Sequence, residues 1–123
     1  MSLRAWARRL WPAPWSLLGL IAGAVMLATG GAVRRQQGAL EFHGGLLARA
    51  PLPLDAITLG HVILGRSGEL LDTWRSHEQV HVRQYERWGP FLVPAYLAES
   101  IWQWLCGRRA YLDNRFERQA RGL

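Results

Sequence analysis

The chain has 123 residues, enough for one small domain. All fifteen of its basic residues are arginine against nine acids, giving a net charge of +6. The arginines are scattered in distant pairs (Arg8-Arg9, Arg34-Arg35, Arg108-Arg109) with no aromatic-basic motif or finger spacing, which argues against a nucleic-acid partner. A lone Cys106 excludes an intrachain disulfide and makes a poor metal ligand.

Residues 15–33 (WSLLGLIAGAVMLATGGAV) form an uncharged run. As one helix the run would extend about 28 Å, close to the hydrocarbon thickness of a bilayer. Arg4, Arg8 and Arg9 precede it and Arg34-Arg35 follow, while Trp6, Trp11 and Trp15 fall where an interfacial aromatic belt would lie. Gly19 and Gly23 form a GxxxG that suits close helix pairing. A signal peptide would find a tolerable cleavage site near Ala28-Thr29-Gly30, but the Trp- and Pro-bearing lead is unsuited to one. A buried core helix is the other alternative, and the remaining chain is short for enclosing so apolar a cylinder. The expectation is a retained transmembrane anchor within residues 1–35, touching lipid through 15–33, followed by an α+β domain over residues 36–123. The arginine balance tilts slightly towards an inside amino terminus.

Within that domain, residues 39–43 (ALEFH) read as a strand entering a Gly44-Gly45 turn, and residues 46–54 as a Pro-containing loop. Residues 56–64 (AITLGHVIL) are β-branched and end in a Gly-Ser turn, as one strand would. A helix follows, capped by Asp72 and ended by Gly89-Pro90; Ser76 with Gln79 offers an alternative capping box. Residues 91–105 are apolar and read as helical from about Pro94, with Glu99 in their middle; a short second span there is the alternative. A last helix runs from about Asn114 to Arg121.

The middle helix carries the chemistry. His77-Glu78-Gln79-Val80-His81 is an HExxH sequence. Residues four apart stack on one helical face, so both imidazoles can reach one Zn²⁺ ion, with Glu78 beside it to take a proton from a water. Trp74, His77, His81, Tyr85 and Trp88 recur at helical spacing, which places the histidines on the inward stripe. Zinc needs a third protein ligand, and His43, His61, Glu99 and Glu117 are the candidates. Asn114 with Glu117 reads equally as a capping box.

HEQVHVRQYERWG, PAYLAES and YLDNRFERQA together resemble small bacterial membrane-associated proteins of the gluzincin type, zinc metallopeptidases with an HExxH and a downstream glutamate. The resemblance spans about residues 38–121. It implies a minimal zincin fold: a small sheet, an active-site helix and a glutamate-bearing helix packed across it. It also implies that the N-x-x-E-x-x-A segment supplies the third ligand, here Glu117, giving His77, His81 and Glu117 as the metal set. Arg115 stands where a proline is common in that segment. The implied activity is hydrolysis of a peptide or protein substrate at a bacterial inner membrane. Glu78 would then be the general base, and Tyr111, Tyr85 or His61 would donate to the oxyanion. Strand 56–64 would bind an extended peptide by strand addition. The rival expectation is a non-catalytic membrane protein whose zinc is structural or whose site is inactive.

Overall fold

The computed structural model describes residues 2–123, with Arg9 described by its backbone alone. Its elements are α1 (Leu3–Leu10), α2 (Ala13–Ala28), β1 (Ala32–Gln36), β2 (Ala39–His43), α3 (Gly45–Arg49), β3 (Ala56–Leu59), β4 (Val62–Gly65), α4 (Gly68–Trp88), α5 (Leu92–Leu105) and α6 (Arg115–Ala120). A 3-10 turn, Gly89–Phe91, joins α4 to α5. The class is mixed α+β around one small sheet, of order β1-β2-β4-β3. The two hairpins, β1–β2 and β3–β4, are antiparallel, and β2 meets β4 in parallel.

Strand alternation divides the sheet into two packed faces. Phe42, Val62 and Leu64 point to one side and pack with Met26 of α2. Ala39 and Ile63 point to the other and pack with Leu71 and Val82 of α4. The sheet therefore lies between α2 and α4. A third cluster, Tyr85, Leu92 and Phe116, ties α4 to α5 and α6.

The expected anchor is corrected by what happens between Met26 and Val33. The helix stops at Ala28, Gly30 takes a φ of +100°, and Ala32 and Val33 enter β1 instead. Sixteen helical residues extend about 24 Å, short of a bilayer core. Among the described residues no helix is long and apolar enough to cross a membrane, the 91–105 segment included. One face of α2 is spent on the sheet. A side chain at Gly19 would stand 2.7 Å from Val62, and one at Gly23 only 2.6 Å from the Phe42 ring. The GxxxG thus lets a helix settle onto a sheet.

Other boundaries shift for local reasons. The run 56–64 is a hairpin, because Gly60 at φ +62° opens a two-residue turn with His61. Helix α3, Gly45–Arg49, forms from the second residue of the expected turn and the first part of the expected loop. Helix α4 begins a full turn before Asp72, with Ser67 as its cap accepting from the Leu70 amide at 3.1 Å. Asp72 and Ser76 are therefore interior residues and cap nothing. Helix α5 takes Pro94 into its first turn, where a missing amide proton costs no hydrogen bond.

One buried ion network fixes α4 over the sheet. Glu41 of β2, fully buried, accepts from Arg34 of β1 at 2.9 Å and from Arg75 of α4 at 2.9 and 3.0 Å. Asp72 completes it, 2.9 Å from both arginines.

Candidate metal centre

Helix α4 presents two adjoining stripes. Leu71, Glu78, Val82 and Tyr85 are buried along it, and His77, His81 and Gln84 lie beside them towards α6. The His77 and His81 rings sit 5.0 Å apart, one turn from each other. Glu117 arrives from α6, whose start is set by Asn114: its side-chain oxygen accepts from the Phe116 amide at 2.8 Å. The Asn114 side-chain amide donates to the Tyr96 carbonyl and to Ser100 Oγ, which pins that cap against α5. Asn114 caps the helix alone: its own amide donates to the Tyr111 carbonyl and the Glu117 carboxylate is engaged elsewhere, so the expected reciprocal capping box does not form.

The carboxylate of Glu117 bridges the histidines. One oxygen is 3.0 Å from His77 Nε2 and the other 3.2 Å from His81 Nε2. His77, His81 and Glu117 offer ligand atoms that all lie within 4.8 Å of one another, close enough to hold a metal ion. Gln84 decides which nitrogen His81 offers. Its amide nitrogen is committed to the Phe116 carbonyl and Gln119 Oε1, so its oxygen faces His81 Nδ1 at 2.8 Å and accepts from it. Nε2 is left pointing at Glu117, the arrangement that a metal-bound imidazole requires. Tyr96 donates to Glu117 at 2.8 Å and orients the carboxylate.

The electrostatics favour positive charge at the centre. Burial raises the pKa of Glu117, but hydrogen bonds from His77, His81 and Tyr96 outweigh it and hold the carboxyl well below its usual range. Burial lowers that of His81, and the Glu117 carboxylate reverses the sign, so the imidazole binds its proton more tightly than usual. With Nδ1 donating to Gln84, the His81 Nε2 faces a Glu117 oxygen and calls for a cation between them, either a proton or a metal.

Glu78 stands apart from the ligand set. Its carboxylate accepts from Thr58 Oγ1 of β3 at 2.5 Å, and burial pushes its pKa upward against that hydrogen bond. Ile57, Thr58 and Leu59 line a cavity of about 550 Å³ together with Trp15, Leu92, Val93, Tyr111 and the residues His77, Glu78, His81 and Glu117. Tyr111 is exposed on that wall, and its hydroxyl is pushed up to about 12 by burial and by the Glu117 charge.

The remaining sequence candidates lie elsewhere. His61 sits in the β3–β4 turn with Nε2 2.8 Å from Glu86 and does not line the cavity. His43 ends β2 beside Gly68. Glu99 accepts from Gln103 at 2.7 Å on the same helix. Tyr85 is buried, and its hydroxyl donates to the Thr58 carbonyl, which removes it from the set of oxyanion donors. Gln84, Tyr96 and Thr58 were absent from the sequence reading. Gln84 had a signal, since it follows His81 by three residues on the same helix. Thr58 and Tyr96 come from distant strands and helices, and no local pattern marks them. No protein-family model, curated protein or solved structure matches this chain.

Proposed function

We propose that this chain is a zinc-dependent peptidase of the gluzincin type. The observation that carries the reading is the convergence of His77, His81 and Glu117, with Glu78 held off the ligand set on the wall of one apolar cavity. Two imidazole nitrogens and one carboxylate suit Zn²⁺, and three protein donors are the usual number in catalytic sites, whereas structural sites usually use four. When bound, zinc supplies a Lewis acid that polarises a carbonyl and acidifies a water.

The chain's own groups do the rest. Glu78 takes the proton of the attacking water and passes it to the departing amine. Thr58 holds that carboxylate in place from the strand side. Tyr111 donates to the carbonyl oxygen as charge develops on it. Strand β3 is a sheet edge, paired on one side only by β4, so an extended peptide can add to it beside the cavity. The apolar walls, Trp15, Ile57, Leu92 and Val93, favour a substrate with an apolar side chain.

The test has two arms. Purified protein should carry close to one zinc per chain. Glu117→Gln should weaken zinc binding strongly, whereas Glu99→Gln should leave it unchanged. With a peptide library, Glu78→Gln should keep the zinc and the fold and lose cleavage. A chain that folds without taking up zinc refutes the centre. Stoichiometric zinc with no cleavage by wild type favours a structural metal, and undiminished cleavage by Glu78→Gln refutes the mechanism.

A further inference from the structure

Helix α2 buries Gly19, Gly23 and Met26 against the sheet, and its opposite face remains as apolar as the buried one. Leu17, Leu18, Ile21 and Val25 are exposed there, Leu17 at 60 % and Ile21 at 57 %. Helix α5 repeats the pattern with Leu97, Ile101, Trp102 and Trp104, the last exposed at 68 %. The two helices begin side by side: Trp15 Nε1 donates to the Pro90 carbonyl at 3.2 Å, and exposed Trp11 packs edge-on against exposed Phe91 at 5.7 Å. A helix apolar all round belongs in a core or in lipid, and exposed apolar surface on this scale marks an interaction face.

The charges choose the occupant. The first forty residues contain five arginines and no acid. Arg4 and Arg8 lie before α2 and Arg35 after it; none of the three forms an ion pair among the described residues. Arg108 follows α5, while the neighbouring Arg109 is already paired with Asp113. A second copy laid on α2 in either direction would set arginines against arginines, at a cost in repulsion. An anionic lipid headgroup neutralises them. Tryptophan bordering an apolar face is likewise the residue of a membrane interface.

We propose that the outer faces of α2 and α5 seat the protein in the plane of an anionic bilayer leaflet, buried to the depth of a headgroup layer and spanning nothing. The inference does not depend on the metal centre. Its test is flotation of the full chain, transferred from detergent to vesicles of phosphatidylcholine alone or mixed with phosphatidylglycerol. Binding should be about tenfold or more tighter to the anionic vesicles and should weaken with salt. The double variants Leu17→Glu/Ile21→Glu and Ile101→Glu/Trp104→Glu should each lose about tenfold or more in binding and keep the wild-type circular dichroism spectrum. Equal binding to both vesicle types overturns the proposal, as does binding that both variants retain. A stable dimer that ignores vesicles would show that a second copy covers the face. Retention through a carbonate wash would show a spanning helix instead.

Discussion

Helices α2 and α4 pack on opposite faces of one sheet and solve opposite problems. Helix α4 is amphipathic, and its buried stripe is partly polar: Glu78, His81 and Gln84 are all buried, and each has a partner. Helix α2 is apolar on every side and approaches the sheet through two glycines and Met26, leaving its leucines, Ile21 and Val25 outside. The first buries chemistry and must satisfy it; the second buries backbone and leaves its leucines uncovered. Stability on the α4 side therefore rests on matched polar partners, and on the α2 side on close fit.

That contrast can be broken from either side. The largest effect belongs to the ion network under α4. Glu41→Gln strips the anion from between Arg34 and Arg75 and should cost about 3–5 kcal/mol, read by urea denaturation. Next comes the partner of the metal-facing histidine: Gln84→Ala should reduce zinc affinity by about 10–100-fold in a competition titration, because His81 loses the acceptor that fixes its tautomer. On the α2 side, Gly23→Ala forces a methyl group against the Phe42 ring and should cost about 1–3 kcal/mol. Leu17→Gln, on the same helix but facing outward, should stay within about 0.5 kcal/mol. Equal losses at these two positions would show that α2 is covered on both sides.

The smallest effect is a matter of pH. In metal-free protein the raised His81 contributes stability that is complete below its ordinary value of 6.5 and is lost as pH rises through its folded value. Glu117 is depressed, so its contribution is complete above the ordinary 4.5 and is lost only in stronger acid. The pair is therefore at full strength between those two ordinary values. Chelator-treated protein should melt at a higher temperature at about pH 5.5 than at about pH 8, and added zinc should reverse the order because it displaces the His81 proton. Identical melting curves with and without zinc across this range would remove the centre from the stability account.

Local periodicity made the mixed class, the HExxH helix and β2 legible, because each is written in residues a few positions apart. Residue spacing also put His77 and His81 on one face, and the Asn114 turn carries its own capping signal. The fate of residues 15–33 was not legible. Lipid and a sheet demand the same apolar stripe, and the break at Gly30-Gly31 carries no charge to announce it. The β3–β4 hairpin was hidden for a similar reason: β-branched residues continue across the turn, and only Gly60 interrupts them. Thr58 and Tyr96 reach the site through tertiary contacts, on which sequence spacing is silent.

The forty-position separation of His77 and Glu117 also imposes an order in time. A chain is synthesised from its amino terminus, so the two imidazoles leave the ribosome well before the carboxylate that joins them. Until α6 emerges and its cap engages α5, the nascent protein holds an incomplete donor set of two histidines. Helix α6 thus works as a latch: without it the HExxH helix would stand intact and the donor set would stay at two histidines.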